Sequence, residues 1–372
     1  MLDSTASPFV LPPIPDAGQT LPWGGFGSLE YESIASLARL DGMMAASAKA
    51  DLFWLTWLMK EAQYSNEIEG TVTTFDEIMG EHAGVIVPIE RKNDVQEVLN
   101  YRTAMLEGLG DIRDGRPLSL SLIKALHAEL LNGARGQTKT PGEWRHVQVH
   151  IGRPGEPLEK AAYIPPEPFL VQDLLENWER FIARQDINPV IQAAVMHAQF
   201  EMIHPFLDGN GRMGRLLITL FLASKKVLHF PCFYMSAYLQ NHRDSYYAAL
   251  GKISKQGDWN TWIEFFLNAV VKHSQANISL MANMTELYEE SKREFSQITG
   301  SAQAVNVLDY MFEKPIFTIP DLIKQSKIPI SNNGVMSLIN RLEKGRLIEK
   351  AAEGSGRRPA VWRFTRLLQL LA

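Results

Sequence analysis

A stretch of twelve residues, 204–215, most constrains how this chain can fold. Its sequence is HPFLDGNGRMGR, and it lies between two apolar runs with helical spacing. Pro205 cannot continue the first helix, because it lacks an N–H group and its ring clashes with the preceding turn. We therefore predict a helix over residues 189–203, a turn at His204, a loop that contains glycines, and a second helix from about Gly211.

The predicted loop and helix start suit an anion such as a polyphosphate. Unpaired N–H groups and the dipole at a helix N-terminus attract anions. Gly209 and Gly211 permit backbone dihedrals that turn amides towards a phosphate. Arg212 and Arg215 lie about one helical turn apart on one face, so both can reach the same polyphosphate.

Two further side chains of this stretch suit catalysis. Asp208 supplies the hard oxygen ligand that Mg²⁺ prefers beside phosphate oxygens. His204 is the residue of the group suited to take a proton near neutral pH.

Three other interpretations explain the stretch less well. Residues 209–214 match the dinucleotide pattern G-x-G-x-x-G, but that pattern follows a strand, and here a helix and a proline turn precede it. A metal cluster of His197, His204 and Asp208 is opposed by Pro205, which breaks the helix that would align them. A structural turn with a solvated helix leaves the concentration of polar groups unexplained.

Residues 204–215 resemble the signature H-P-F-x-[D/E]-G-N-G-R-x-x-R of the Fic family of protein adenylyltransferases, and every fixed position is filled. The resemblance implies that His204 deprotonates a Tyr, Thr or Ser hydroxyl of a target protein, which then attacks the α-phosphate of ATP. It also implies that Asp208 holds Mg²⁺. The residues that it assigns to ATP and its phosphates are Gly209, Asn210, Gly211, Arg212, Met213, Gly214 and Arg215.

A second segment, residues 51–69, favours a helix that Gly70 ends. Ser65 and Glu69 are four positions apart and share a face. Residues 65–70, SNEIEG, resemble the Fic inhibitory motif [S/T]-x-x-x-E-[G/N]. The resemblance implies that Glu69 enters the ATP site and pairs with Arg215, in the family class with an N-terminal inhibitory helix (about residues 51–70). A carboxylate and a phosphate would then compete for one guanidinium group. The alternative is a surface helix with its carboxylates in solvent.

A third segment predicts a hairpin over about residues 146–166. Residues 146–152 alternate as a strand, and residues 161–166 can return as a second strand. The hairpin resembles the Fic flap, which holds the target over the site; the alternative is an ordinary surface hairpin. The residues assigned to target docking or nucleotide contacts are Val149, His150, Ile151 and Gly152. Tyr247 and Leu250 lie where the family places adenine contacts.

The composition changes at the C-terminal end. Residues 300–372 contain eleven Lys or Arg and six Asp or Glu, although the formal net charge of the chain is −5. Their pattern of three helices followed by strand–turn–strand resembles a winged helix. Such a module can place a helix in the DNA major groove and a basic wing on phosphate. The alternative is a protein-interaction or dimerisation module.

The predicted fold is therefore mainly α: a Fic-type helical domain with a β-hairpin flap, and a C-terminal winged-helix domain. Residues 1–95 form an N-terminal helical region with an extended arm, residues 96–298 the catalytic domain, and residues 300–372 the winged-helix-like domain. The single cysteine, Cys232, and the absence of a basic start typical of secretory signals favour a cytoplasmic protein. The apolar run 216–223 is too short to span a membrane.

Two classes of function follow from these patterns. The first is an ATP-dependent adenylyltransferase, acting on target proteins or on itself and restrained by Glu69. The second is a DNA-binding regulator whose Fic-like domain senses a nucleotide. A Fic fold can also use another phosphate donor or remove AMP. A homodimer is the expected assembly, as in many Fic proteins.

Overall fold

A computed structural model gives the fold of the chain and describes residues 7–85, 87–152, 160–326, 328–356 and 358–371. Within these ranges the chain forms fifteen α-helices and three short strands. The helices are α1 (Ser28–Ala46), α2 (Ala50–Ile68), α3 (Phe75–Gly80), α4 (Lys92–Arg113), α5 (Leu120–Leu130), α6 (Val171–Ala183), α7 (Pro189–Ile203), α8 (Asn210–Ser224), α9 (Ser236–Asn241), α10 (Arg243–Gln256), α11 (Trp259–Thr299), α12 (Ala304–Glu313), α13 (Ile319–Ser326), α14 (Asn332–Lys344) and α15 (Thr365–Leu371). The strands are β1 (Ile316–Thr318), β2 (Glu349–Ala352) and β3 (Val361–Arg363).

Helix α7 lies at the centre of the fold, and the predicted helix over residues 189–203 is confirmed. The side chain of Asn188 caps its N-terminus, and Pro189 occupies its first turn. Apolar residues surround the whole helix, which is typical of a core helix. Trp178 of α6 and Trp262 of α11 donate from Nε1 to main-chain oxygens of α7, at 2.9 and 2.8 Å. These bonds fix the helix that leads into the motif.

The predicted helix over residues 51–69 is also confirmed, as α2. It is buried along most of its length, which excludes the alternative of a surface helix. Its Glu61 is buried and accepts hydrogen bonds from Tyr101 of α4 and from the main chain and side chain of Ser236. Helix α2 is therefore bonded to the helices that surround the motif.

The C-terminal residues pack on the long helix α11. Helices α12, α14 and α15 contact it, and the three strands form one antiparallel sheet in the order β1-β3-β2. Phe317 of β1 and Lys350 of β2 both pair with Trp362 of β3. The predicted order of three helices followed by two strands is observed as α12, α13, α14, β2 and β3, whereas β1 and α15 are elements that the sequence pattern did not predict.

The predicted strands of the flap are wrong. In residues 146–152 and 160–166 the structure contains one isolated antiparallel bridge, between Ile151 and Tyr163, and no strand. Side chains bind the main-chain oxygens that a ladder would use: Arg145 donates to Pro166, and Gln148 donates to Pro165 and Val149. Residues 153–159, which the prediction also included, lie outside the described residues.

The N-terminal arm crosses the helical domain without regular structure over residues 7–27, as predicted. Phe9 donates its main-chain N–H to Ile164 in the flap segment (2.9 Å), and the side chain of Asn177 binds both main-chain groups of Ile14. No helix in the described part of the chain combines the length and the apolar character that crossing a membrane requires.

Candidate active site

The turn at His204 joins α7 to the loop of the motif. His204 has φ 50° and ψ 61°, in the left-handed region, and its N–H group donates to Phe200 at the end of α7. Gly209 also has a positive φ, 76°, immediately before α8 begins at Asn210. The backbone therefore reverses between two left-handed residues, as the proline and the glycines predict, and the N-terminus of α8 faces the loop.

Asn210 closes this loop through its side chain. Its Oδ1 accepts from the N–H of Phe206 and its Nδ2 donates to the oxygen of Phe206, both at 2.9 Å. Because both polar atoms of the side chain are used in this way, Asn210 sets the shape of the loop.

His127 of α5 contacts the loop at Phe206 and Asp208 and was not predicted as a site residue. Its ring stacks on Phe206, with the centroids 3.5 Å apart. The N–H of Gly142 donates to Nδ1, so Nε2 carries the proton and donates to the main-chain oxygen of Asp208 at 2.9 Å. Burial lowers the pKa of His127 to about 4, which keeps this neutral form.

Arg212 lies between two carboxylates. Its Nη2 is 3.3 Å from Oδ1 of Asp208, and its Nη1 is 3.3 Å from Oε2 of Glu97 on α4. Glu97, which was not predicted, is also held by Arg135 and Thr71. Nε of Arg212 is buried and has no hydrogen-bond partner among the described residues. The guanidinium therefore retains donor capacity for an anion at the start of α8.

Arg215 is bound to the end of α2. Its side chain is 2% exposed, and its Nε donates to Oγ of Ser65 at 2.9 Å. Its Nη2 donates to the main-chain oxygen of Ser65 and to Oε1 of Glu69, both at 2.7 Å. Burial alone would raise the pKa of Glu69, but the charge and hydrogen bond of Arg215 outweigh it and lower that pKa. The structure thus brings together Ser65, Glu69 and Arg215, the grouping that the resemblance to the inhibitory motif implied.

Gly211 shows where the Glu69 carboxylate lies. A Cβ atom at Gly211 would overlap Oε1 of Glu69, with Nη1 of Arg215 close by. The carboxylate therefore rests on the first turn of α8, where the sequence predicted a phosphate. Gly214 is equally confined, because a Cβ there would overlap Oε1 of Glu201. Met213, predicted beside them, is fully buried in the core.

Two titratable groups lie at the end of α7. Burial lowers the pKa of His204 to about 4, although the backbone of Glu201 and the carboxylate of Glu69 act to raise it. Burial raises the pKa of Glu201 to about 7. Oε1 of Glu201 is buried and has no hydrogen-bond partner among the described residues. At neutral pH the imidazole of His204 is thus a neutral base.

The predicted adenine contacts lie on α10, a helix that the sequence pattern did not predict. Tyr247 is 44% exposed and stacks under Arg243, whose Nη2 donates to the last carbonyl of α2. Its hydroxyl is close enough to Glu69 and Arg215 for their charges to affect its pKa, which burial raises. Leu250 is half-buried against the core. The structure therefore brings Tyr247 to the Glu69–Arg215 pair.

The flap residues occupy the other side of the motif. Ile151 and Val149 are half-buried, whereas His150 and Gly152 are exposed. The N–H of Ile151 donates to Tyr163 at 2.8 Å. The main-chain oxygen of Ile151 accepts in turn from the N–H groups of Ala162 and Tyr163, so the main-chain groups of Ile151 are used within the flap segment.

The donor set at Asp208 fits Mg²⁺ bound together with phosphate. The Asp208 side chain is 41% exposed, and Oδ1 accepts from the N–H of Gly209 at 2.6 Å. No group of three His, Cys, Asp or Glu side chains that could hold a metal occurs in the described ranges. Mg²⁺ often takes one or two carboxylates, with water and substrate phosphates completing its shell, and a lone carboxylate beside an anion site meets that need.

Comparison with known proteins finds relatives of this chain. Residues 117–222 match the Fic/DOC family and residues 31–110 its N-terminal region, and together they span half of the chain. Protein adenylyltransferase fic-1 of Caenorhabditis elegans is 27% identical over 201 residues, which are 53% of this chain and 35% of that protein. Protein adenylyltransferase Fic of Drosophila melanogaster is 31% identical over 136 residues, which are 35% of this chain and 24% of that protein. The chain thus matches about a third or less of these relatives.

Solved structures show the same fold. A Fic family protein from Desulfovibrio desulfuricans G20 aligns with a TM-score of 0.60 at 21% identity, over 93% of this chain and 98% of that chain. Fic-1 (residues 134–508) from C. elegans aligns with a TM-score of 0.55 at 20% identity, over 69% and 74% of the two chains. The fold and the site define a mainly helical protein whose core helix pair presents an HPFxDGNGR loop. The chain belongs to the Fic/DOC family.

Proposed function

We propose that this protein is an ATP-dependent protein adenylyltransferase restrained by Glu69. The observation that carries the proposal is the position of Glu69, which pairs with Arg215 over the first turn of α8 in the motif that begins at His204. The names of the curated relatives support the reaction type. In this reaction the acceptor is a Tyr, Thr or Ser hydroxyl of a target protein, or of the enzyme itself.

His204 acts as the base in the proposed reaction. Its neutral imidazole takes the proton of the acceptor hydroxyl. The hydroxyl oxygen forms a bond to the α-phosphorus of ATP while the bond from that phosphorus to the β-phosphate oxygen breaks. Pyrophosphate leaves, and AMP remains on the acceptor.

The start of α8 binds the phosphates. Asn210 and Gly211 begin α8 beside the loop that Asn210 closes, and the N–H groups of a first helical turn attract anions. Arg215 and Arg212, whose Nε has no hydrogen-bond partner in the described part of the chain, neutralise charge that develops on pyrophosphate. Asp208 would hold Mg²⁺ against the phosphates, where the cation would offset their negative charge.

Glu69 restrains this reaction by occupying Arg215. The carboxylate overlaps the space above Gly211, and Ser65 takes two further donor positions of the same guanidinium. A γ-phosphate that uses Arg215 must displace Glu69, because both anions need the same donors.

The test is transfer of label from α-³²P-ATP with Mg²⁺, with the protein alone and in cell lysate. Wild type, Glu69→Gly and His204→Ala are compared, with His229→Ala as a control at an exposed histidine. We expect protein-bound label to increase in Glu69→Gly, to fall by at least about 100-fold in His204→Ala, and to stay unchanged in the control. Label on the protein alone would identify self-modification. Absence of label in every variant would contradict the proposal.

A second function, DNA binding by residues 300–372, is favoured by the order of the elements. Helices α12, α13 and α14 precede the pair β2 and β3, and Ser331 caps α14. This order is that of a winged helix, with α14 in the recognition position. Nη1 of Arg341, however, donates to the main-chain oxygen of Thr299, so one donor of this guanidinium is already used in a hydrogen bond within the protein.

The DNA proposal is tested by binding of the full chain to duplex DNA at several salt concentrations. Binding that weakens steeply with salt, and weakens further in Lys344→Ala at the exposed end of α14, would support it. No binding at low salt would contradict it.

A further inference from the structure

Arg145 is a buried cation outside the motif whose contacts join the two sides of the site. Its side chain is 2% exposed, and it lies immediately before the flap segment, residues 146–166. Burial of a guanidinium is costly unless its donors are satisfied. Among the described residues, the side-chain partners of Arg145 are all main-chain oxygens, so Arg145 connects segments of backbone.

The first set of partners lies at the end of α7. Nε of Arg145 donates to the oxygen of His204 at 2.8 Å, and Nη2 donates to that of Ile203 at 3.3 Å. The main-chain N–H of Arg145 donates to Pro205 at 2.8 Å. The last carbonyls of a helix have no partner within it, and a cation there is favoured by the helix dipole. Arg145 therefore fixes the main chain on both sides of the His204 turn.

The second set of partners lies at the two ends of the flap segment. Nη1 of Arg145 donates to the oxygen of Val147 at 3.3 Å, and Nη2 donates to that of Pro166 at 2.5 Å. Tyr163 adds a parallel connection, because its hydroxyl donates to the oxygen of Met202 at 2.9 Å. Four consecutive carbonyls, residues 202–205, thus accept hydrogen bonds from Arg145 or Tyr163.

We propose that Arg145 is a positioning residue that holds the flap segment and His204 as one unit, so that an acceptor hydroxyl bound at the flap meets the imidazole. This inference rests on the proposed adenylyltransferase function. It requires the guanidinium rather than a positive charge alone, since one planar group donates in three directions to carbonyls of three segments. The ammonium group of lysine is a single point on a flexible stem and cannot reproduce that geometry.

The test compares Arg145→Lys and Arg145→Gln in a Glu69→Gly parent. The rate of label transfer from α-³²P-ATP into lysate protein is measured at saturating ATP, together with the melting temperature and the affinity for a non-hydrolysable ATP analogue. We expect both variants to fold and to bind the analogue within about twofold of the parent, while transfer falls by about 100-fold, as for a misplaced catalytic pair. Hydrogen exchange at the Ile151 amide, which is bonded across the flap, should become faster.

The matched control is Arg184→Lys. The Arg184 side chain is 9% exposed, and its Nη1 donates to the main-chain oxygen of Pro15 at 2.7 Å, in the N-terminal arm, while its Nε and Nη2 donate to Asp186. We expect this variant to keep the parental transfer rate. Arg145→Lys with unchanged transfer would overturn the inference, as would loss of transfer matched by equal loss of analogue binding or by an equal loss in Arg184→Lys. If the Glu69→Gly parent itself transfers no label, the proposed function fails first.

Discussion

Oε1 of Glu69 lies 2.7 Å from Nη2 of Arg215, although the two residues are 146 positions apart in the chain. Arg215 is held in α8 and Glu69 at the end of α2, so the fold itself brings the carboxylate to the motif. This pair leads to the first prediction.

Glu69→Gln should raise the rate of label transfer by about 10- to 100-fold. The substitution removes the charge but keeps the size of the side chain, and a hydrogen bond to a charged group contributes about 1.5–3 kcal/mol. The control is Glu67→Gln in the same turn, because Glu67 binds Gln63 rather than Arg215. An equal rise in both variants would show that general loosening of α2, not the Arg215 pair, controls activity.

The transfer rate should stay high well below pH 6.5. Burial lowers the pKa of His204 to about 4, so the imidazole remains the neutral base down to about pH 5. The measurement is the single-turnover rate in Glu69→Gly across this range. Removing Glu69 also removes a charge that raises the His204 pKa, so the acidic limb should not shift upward. A limb centred at about 6.5 would indicate a histidine in an ordinary environment.

Glu201→Gln should stabilise the protein at about pH 8 and not at about pH 4. Because burial raises the pKa of Glu201 from 4.5 to about 7, the stability that its neutral form contributes is present below the unfolded pKa and is lost as the pH rises through about 7. The difference should approach about 3 kcal/mol in urea unfolding. Glu32→Gln, at an exposed position of α1, is the control and should show no such pH-dependent gain.

Asn210→Ala should lower the free energy of unfolding by about 1–3 kcal/mol, since it leaves the N–H and oxygen of Phe206 without partners. Label transfer should fall as well, because the loop before α8 loses its closure. The control is Asn268→Ala on α11, which removes one hydrogen bond at the surface. It should lower the free energy of unfolding by less than Asn210→Ala does and should lower label transfer by less. Unchanged thermal stability in Asn210→Ala would show that the loop does not depend on this clamp.

The local patterns predicted helix α2, helices α7 and α8, and the loop that joins α7 to α8. Helical spacing and a helix-ending proline are signals that extend over only a few residues, so one sequence shows them. They did not predict His127, whose bond to Asp208 spans 81 positions, or Arg145, whose bond to His204 spans 59. Such pairs leave no spacing signal in one sequence. The strand prediction for the flap was wrong for another reason. Polar and apolar residues do alternate there, but the side chains of Arg145 and Gln148 bind main-chain oxygens that a strand ladder needs.

The depth at which α2 is packed limits how Glu69 could leave Arg215. Phe53, Trp57 and Leu58 are almost wholly buried, and exposing each side chain would cost about 1.5–3 kcal/mol. Departure of the whole helix would therefore begin to unfold the protein. If Glu69 restrains the proposed reaction, its release would instead involve the last turn of α2, where the Glu69 side chain is 37% exposed. Such a release would leave the buried length of α2 in place.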